Sequence, residues 1–363
     1  MKILIDLSNH NSIYSGVTIY ALRIISGFVK NGYDGIFILC HPNIYETVSK
    51  LYPEYACIKA KQSKSKGVLG KIKTTILQGQ QINSIACDVL FHPTLSKSMF
   101  FSKHRTVQTI HDLQGIKINR GFRRLAAYCS LGIAMIRSHH IITISNYVKN
   151  DICKYFPFVN QKKIHTIYNS VIVKTNKSSP RPIPEKYLLY VGMLREYKNI
   201  MTLLKAFNLL KNTIEQKLVI IGRPFDDYWN KIALPYIESN HLSSHLVIIT
   251  SPISDQQLLQ YYQHADLLVH PSLMEGFGYT PIEAAMLETP VLTTKETALY
   301  ETTMGLLNYY EPAQNEQVLA RRIKEVLSNP PAKKQLDIIA DTLSQQYDEC
   351  GQARKIWSLL KKQ

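Results

Sequence analysis

The sequence predicts an α/β protein built of two doubly wound, Rossmann-like domains. Short apolar runs alternate with stretches of helical periodicity along the whole chain, the pattern of parallel strands joined by crossover helices. At 363 residues the chain exceeds the size at which one core usually persists. A proline-rich break near its middle supplies a boundary. A hydrophobic content of 45% with 16 Gly and 16 Pro describes an ordinary globular protein with ample core.

The first half opens with a strand over Ile3 to Leu7, a polar run and Gly16, then a helix carrying Ile19, Leu22, Ile24, Ile25 and Phe28 at roughly helical spacing. Gly16, at the mouth of this loop, lets backbone approach a ligand closely, or is a plain loop glycine. Gly35 to Cys40 reads as the second strand and Tyr55 to Ile58 as a weaker third; Asp88 to Phe91, Arg105 to Ile110, His140 to Ile144 and Ile164 to Tyr168 follow. The strand ending at Ile110 delivers His111 to a C-terminal strand end, where open α/β sheets place their ligands, and a neutral His111 there can donate to a hydroxyl or to a developing charge. Ser145 is placed to cap the helix Asn146 to Tyr155.

Two basic stretches stand out. Lys59, Lys61, Lys64, Lys66, Lys71 and Lys73, with no acid among them, are interrupted by Val68, Leu69 and Ile72. This stretch is either a surface for an anionic bilayer, each nearby cation contributing on the order of 1 kcal/mol, or a solvated, mobile loop. Arg123, Arg124 and Arg137 bracket an almost wholly apolar helix, Leu125 to Ile136. Core packing is its first reading, since it is too short to span a bilayer, and interfacial docking is the second.

Residues 1–173 make the first domain, and 174–186, which contains Lys-Ser-Ser-Pro-Arg-Pro-Ile-Pro, the linker. In the second domain, 187–345, strands are expected over Tyr187 to Val191, Leu218 to Ile221, Leu246 to Ile249, Leu267 to Val269, Val291 to Thr293 and Leu306 to Tyr309. Helices are expected from Asn199, over Asp226 to Glu238, Asp255 to Tyr262, Gln314 to Leu327 and Pro331 to Leu343, and a last helix within 346–363. Arg195 and Lys198, in the loop after the first of these strands, suit phosphate, Arg as a fork and Lys as a point charge, or are surface charge. Two doubly wound domains imply a ligand cleft between facing strand ends.

The stretch Val269 to Ala285 organises the second half. An apolar strand ends in a glycine-flanked turn, Glu275-Gly276-Phe277-Gly278, and leads into a helix near Tyr279 and Thr280. Such a helix start favours an anion. Glu275 and Glu283 flank it; carboxylates are unsuited to phosphate and suit the hydroxyls of a ligand with a sugar at each end of a diphosphate.

The net charge of +16 is unevenly placed: residues 1–180 carry 24 Lys and Arg against 7 Asp and Glu, and the remainder of the chain nets −1. One domain therefore faces a polyanion or an anionic membrane. Six scattered cysteines without a CxxC pair argue for reduced thiols and against a zinc site. No apolar run reaches membrane-spanning length, and Asp6 falls where a signal peptide would stay apolar, so a cytoplasmic protein is expected. Nucleic-acid binding fits the charge, but no recognisable motif accompanies it and the organising stretch lies in the neutral half.

Glu275-Gly276-Phe277-Gly278 followed by Glu283-Ala284 resembles the paired-glutamate motif of the retaining, GT-B-fold glycosyltransferases of family 4, the group 1 glycosyltransferases. Tyr190-Val191-Gly192, Lys198-Asn199, Ser254-Asp255, Ala265-Asp266, Pro271-Ser272, Thr109-Ile110-His111-Asp112, Thr143-Ile144-Ser145 and Tyr168-Asn169 match in order over nearly the whole chain. The resemblance implies that Glu275 contacts the donor sugar, Glu283 the ribose, and Lys198 the phosphates. The amides of Gly276, Phe277, Gly278, Tyr279 and Thr280 would then hold the sugar and diphosphate, and Thr250 to Ile253 would seat the base; Gly16 and Gly222 complete the expected donor-binding set. It further implies a nucleotide-diphosphate sugar as substrate, no cofactor or metal, and a last helix that crosses back to the first domain. Two departures are evident: Tyr197 stands where relatives carry arginine, with Arg195 two positions earlier, and Glu288 stands where glycine commonly precedes Thr-Pro-Val.

The expected chemistry is transfer of a sugar to a hydroxyl with retention, the fixed dipoles, Lys198 and Arg195 stabilising the leaving diphosphate and His111 orienting the sugar. The basic half is expected to bind a glycan or lipid-linked acceptor at the inner face of the cytoplasmic membrane, in O-antigen, capsule or lipopolysaccharide synthesis. A catalytically silent GT-B scaffold and a GT-B nucleotide-sugar epimerase are the competing readings.

Overall fold

Among the described residues thirteen strands fall into two wholly parallel sheets, and the sheets belong to two units. The structure, a computed structural model, describes residues 1–65, 67–173 and 180–362. One unit comprises Met1–Ser170 with Tyr347–Gln363, the other Val171–Gln346.

In the first unit the strands are β1 (Ile3–Leu7), β2 (Ile36–Cys40), β3 (Ala56–Lys59), β4 (Val89–His92), β5 (Arg105–Ile110), β6 (His140–Thr143) and β7 (Ile164–Thr166). Their order is β3-β2-β1-β4-β5-β6-β7. The second unit repeats the plan with β8 (Tyr187–Val191), β9 (Lys217–Ile221), β10 (Leu246–Ile249), β11 (Leu267–His270), β12 (Val291–Thr293) and β13 (Asn308–Tyr309), ordered β10-β9-β8-β11-β12-β13. Helices cover both faces of such sheets, so the central strands are continuous apolar runs rather than alternating ones. All five residues of β1 and all four of β11 are buried. Register fixes the neighbours: Ile5 lies opposite both Ile38 and Phe91, and Leu189 opposite both Val219 and Leu268.

The strand order reverses direction once per sheet, between β1 and β4 and between β8 and β11. Crossovers on the two sides of such a point lead away from each other and open a crevice at the C-terminal strand ends.

The last helix, Glu349–Lys361, packs within the first unit against the helix Gly16–Lys30. Gly27 makes that approach possible, since a Cβ there would lie 2.7 Å from Ala353 Cβ and 2.9 Å from the Glu349 carbonyl oxygen. Trp357 stacks on Tyr33 with centroids 4.2 Å apart, and Gln352 donates to the Tyr168 carbonyl at 3.0 Å.

Several sequence expectations need correction. The helix expected over Asp226 to Glu238 begins instead with a wide π turn, Trp229–Ala233, before the helix Leu234–Ser239. Of the linker expected over 174–186, residues 174–179 lie outside the described residues, as does Lys66 of the lysine run; Arg181 folds back to donate to the Ile183 and Glu185 carbonyls. The lysine run is not a loop throughout, because the helix Gly67–Ser84 takes up its second half. The arginine-flanked helix, Gly121–Arg137, is not simply core: Leu131, Gly132, Ala134 and Met135 are buried, while Phe122, Leu125, Ile133 and Ile136 are exposed.

Glu288 takes the conformation that its side chain disfavours. The helix Tyr279–Met286 ends with Glu288 at φ +62°, Glu288 N–H donating to the Ala285 carbonyl and Thr289 N–H to the Ala284 carbonyl. This is the paired pattern of a Schellman cap, in which the left-handed position favours glycine. The helix end is therefore conventional and the residue is not. An ion pair with Lys333 partly offsets the strain, and exposed pairs contribute little. Glu288→Gly should raise the unfolding free energy by about 1 kcal/mol in denaturant titration, whereas Glu288→Ala, which removes the pair and keeps the Cβ, should give no gain. Equal effects of the two substitutions would show that backbone strain is not stored there.

Candidate active site

β8 and β11 are neighbours at the switch point, with Leu188 opposite Leu267 and Leu189 opposite Leu268, so the loops leaving their C-terminal ends run side by side. Lys198 comes from the first loop and Glu275 from the second. Lys198 Nζ lies 2.6 Å from Glu275 Oε1, and His270 Nε2, at the last position of β11, is 2.9 Å from the same oxygen. Both donors converge on one carboxylate oxygen, so Oε2 is the face that they do not occupy.

The surrounding backbone holds this triad. After the turn Glu196–Lys198, Asn199 sits at φ +57°, a conformation that asparagine tolerates better than other non-glycine residues. Its buried side chain donates to the Pro271 carbonyl at 3.1 Å and the Ala313 carbonyl at 2.8 Å, and accepts from Thr202 Oγ1 at 2.7 Å. Leu273 N–H donates to the Tyr197 carbonyl, and Glu275 N–H to Thr297 Oγ1, each at 2.9 Å. Asn199 thus ties the lysine loop to the glutamate loop.

Electrostatics set the charge state. Burial pushes the Glu275 carboxyl up, but the Lys198 ammonium and the His270 hydrogen bond outweigh it and hold the group at about 2. Glu275 is therefore an anion at neutral pH, with side-chain exposure of 12% beside 13% for Lys198. A partly buried, paired carboxylate of this kind is set to accept hydrogen bonds from neutral hydroxyls rather than to move a proton.

Beyond Glu275 the chain turns through Gly276 and the buried Phe277, whose carbonyl accepts from Thr302 Oγ1 at 2.5 Å. Gly278 is required twice over: its φ is +89°, and a Cβ would lie 2.6 Å from Leu299 Cδ2. Tyr279 and Thr280 form the first turn of the helix that follows, and Glu283 is on the same helix, accepting from Tyr262 Oη at 3.4 Å. Burial, then the charge of Glu283, raises the Tyr262 hydroxyl well above its ordinary value, so it remains a donor. Glycine turn, helix start and two carboxylates thus form one continuous element.

Arg195 is engaged elsewhere: its Nε lies 3.3 Å from Asp226 Oδ2 and its guanidinium stacks 4.3 Å from the Phe225 ring centroid. Gly222, at the end of β9, has a packing reason of its own, since a Cβ would lie 2.0 Å from the Gly192 carbonyl oxygen. Among the described residues no group of three or more His, Cys, Asp and Glu gathers as a metal site.

In the first unit Gly16 starts its helix behind the Ser15 cap, with open space where a Cβ would be. His111 follows β5, half-buried against the Tyr20 ring at 4.7 Å, its Nε2 2.8 Å from the Pro93 carbonyl oxygen. Burial holds the ring neutral, and because a carbonyl only accepts, Nε2 carries the proton. The donation expected of His111 is thus spent on Pro93, and Nδ1 is left as an acceptor for a hydroxyl. His111 lines a cavity of about 300 Å³ with Val17, Leu95, Asp112, Ile116 and Leu131.

Sequence reasoning missed His270, Thr297 and a buried network at the β1/β4 switch point. Asp6 Oδ2 lies 3.1 Å from His92 Nδ1 and accepts from Ser96 and Ser98, while Oδ1 accepts from Ser8 N–H. Burial would raise the Asp6 carboxyl, yet His92 and Ser8 hold it well below the usual carboxylate range. The available signal was a polar residue closing or interrupting an apolar strand, Asp6 in Ile-Leu-Ile-Asp-Leu and His270 after Leu-Leu-Val.

The Glu275 shift has a defined sign. Its pKa falls from 4.5 unfolded to about 2 folded, so its contribution is complete above pH 4.5 and is lost as pH falls through about 2. Between pH 5 and pH 2 the stability difference between the protein and Glu275→Gln should shrink by up to about 3 kcal/mol. A constant difference across that range would mean that Glu275 is not ionised in the folded state.

Comparison with known proteins follows the same division. Residues 171–342 match the family model described as glycosyl transferases group 1. The chain is 28% identical to the O-antigen chain mannosyltransferase RfbU of Salmonella typhimurium, over 65% of this chain and 67% of that protein. It is 25% identical to the capsular polysaccharide biosynthesis glycosyltransferase CapM of Staphylococcus aureus over 61% of each. Among solved structures, Anabaena HepE in complex with UDP and glucose superposes with a TM-score of 0.76 at 16% identity, covering 99% of both chains. WaaG, a glycosyltransferase involved in lipopolysaccharide biosynthesis, superposes at 0.69 and 14% identity over 100% of both. The two parallel-sheet α/β units are thus of the GT-B type, and the second of them matches the group 1 glycosyltransferases.

Proposed function

We propose that this glycosyltransferase moves a sugar from a nucleotide-diphosphate sugar to a hydroxyl of a lipid-linked glycan, with retention at the anomeric carbon and without a metal. The observation that carries the reading is the Glu275 carboxylate held ionised by Lys198 and His270 at adjoining strand ends. Its Oε2 accepts from donor-sugar hydroxyls, while Lys198 Nζ, already desolvated beside it, faces the diphosphate. The helix start at Gly278 adds N–H dipoles for the charge that grows on the leaving group, and Glu283 takes the ribose hydroxyls. The departing phosphate accepts the acceptor's proton, so no enzymic base is assigned.

Support for a donor of this class comes from HepE, whose crystal structures hold UDP and glucose or UDP-glucose. Support for a surface polysaccharide comes from RfbU and CapM, named for O-antigen and capsule synthesis. Several relatives are named mannosyltransferases, which makes a mannosyl donor the first to assay. The basic first unit suits an acceptor carried at the cytoplasmic face of the membrane.

Thermal-shift screening against UDP-, GDP- and dTDP-sugars identifies the donor, a ligand of the folded state raising the melting temperature. With that donor, Glu275→Ala and Lys198→Ala should each lower turnover by about 100-fold or more, the range of a lost transition-state contact. His111→Ala should cost less, about 10-fold, because Nδ1 orients without carrying charge. Near-normal turnover in the first two variants would refute the assignment.

A further inference from the structure

The cavity beside His111 has walls whose chemistry differs from that of its mouth. It lies wholly within the first unit, at the C-terminal end of β5. Its volume of about 300 Å³ is at the small end of ligand pockets, with room for one sugar ring and not for a lipid chain. The half-buried His111 and the exposed Asp112 and Gly115 mark the mouth. Ile110, Leu113, Ile116 and Leu131, only 2–8% exposed, form the least accessible part of the lining. Most of that surface is carbon.

The polar groups of the lining are largely committed to the protein. Thr109 Oγ1 lies 3.0 Å from Tyr20 Oη, His111 Nε2 donates to the Pro93 carbonyl at 2.8 Å, and Asp112 Oδ1 accepts from Gln114 N–H at 2.9 Å. His111 Nδ1, the second Asp112 oxygen and the hydroxyls of Thr94 and Ser130 remain for a ligand, against seven apolar side chains. The cavity can therefore satisfy a few hydroxyls and leaves any further one without a partner.

The apolar wall is also fixed from outside. Ile116 belongs to the short helix Gln114–Lys117, whose Lys117 pairs with Asp151 and Tyr147 of the helix Asn146–Tyr155. Asn119 Nδ2 donates back to the Gly115 carbonyl at 2.8 Å, and a Cβ on Gly115 would meet Ala127 Cβ of the helix Gly121–Arg137 at 3.7 Å. Leu131, on that same helix, stands beside the buried Ala134 and Met135. A wall packed in this way does not rearrange to offer polar groups to a ligand, so its preference is built in before binding.

A hydroxyl placed against such a wall gives up its water and gains no partner, whereas a methyl group leaves water favourably. We infer that this cavity selects an acceptor sugar that carries a methyl group, either the C5 methyl of a 6-deoxyhexose or the methyl of an acetamido substituent. The inference rests on the acceptor reading of the proposed function and adds the class of sugar that is accepted. His111 Nδ1 at the mouth takes a sugar hydroxyl while the methyl group turns to Ile116 and Leu131.

Saturation-transfer NMR titration of the full chain with methyl glycosides, with and without saturating UDP or GDP, tests this. Methyl α-L-rhamnoside against methyl α-L-mannoside and methyl α-D-fucoside against methyl α-D-galactoside differ only in the C6 hydroxyl; the N-acetylglucosaminide against the glucoside tests the acetamido source. In at least one pair the methyl-bearing member should bind about ten-fold more tightly or better, and that pair names the source. Ala127→Ser and Leu95→Asn, which set a polar group on the wall at partly exposed positions, should each lower the preference by about three-fold or more with an unchanged melting temperature. Equal binding within every pair, a preference for the fully hydroxylated member, or no binding by any glycoside overturns the inference. A preference that both folded variants leave intact does so too, because the selectivity then lies outside this cavity. Calorimetry with UDP and GDP on the same protein separates the two readings: a methyl preference without nucleotide binding leaves the pocket standing and removes the donor assignment, and nucleotide binding without the preference removes only the pocket.

Discussion

Parallel pairing is the constraint on which the rest of this protein depends. Parallel strands cannot be joined by tight hairpins, so every connection crosses over and every strand reaches the same edge of its sheet. A residue just past a strand end is therefore delivered to that edge whatever its sequence distance from the others. Lys198 and Glu275 are 2.6 Å apart because β8 and β11 are adjacent, although three strands' worth of chain separates them. The β10-β9-β8-β11 order also explains why the pair is accessible, since the crossovers diverge there instead of burying it.

An ion pair in such a crevice gains its Coulomb energy against a desolvation cost. Its value lies in charge state and position. His270 and Lys198 supply two donors to one oxygen and Asn199 fixes the loop from which the lysine comes, so the carboxylate presents its second oxygen as a fixed acceptor. The same preorganisation accounts for the backbone irregularities nearby. Asn199, Gly278 and Thr297 all have positive φ, and each lies beside a residue or backbone group that the site uses. Strain of this kind persists where surrounding contacts over-determine the backbone.

Much of this was legible in the sequence because apolar runs and glycine turns are local signals. The strand ends at Val191 and Ile110, the helix from Tyr279 and the Ser145 cap all follow from patterns a few residues long. What escaped was set by neighbours distant in sequence. Asp6 was legible only as an acid in an apolar run, and its burial against His92 depends on β1 lying beside β4. Arg195 was legible as a loop cation, but its contacts with Phe225 and Asp226, on the loop after β9, were not. The helix Gly121–Arg137 has an apolar composition that reads as core, and only its packing shows that one apolar face has no protein against it.

The two units share a topology and differ in how they use its switch point. Each sets a carboxylate beside a basic side chain delivered by the neighbouring strand, Asp6 with His92 and Glu275 with Lys198, and the second adds His270 from the end of β11. Asp6 and His92 are wholly buried, and the Ser8 N–H and the Ser96 and Ser98 hydroxyls donate to the carboxylate, which pins the β1 loop to the β4 loop. Glu275 and Lys198 retain exposure, and the carboxylate keeps an oxygen that neither donor occupies. A carboxylate with both oxygens bonded inside the protein holds a scaffold, and one with an oxygen to spare can hold a ligand. One topology thus builds a buried brace at the switch point of the basic first unit and a partly exposed acceptor at that of the near-neutral second.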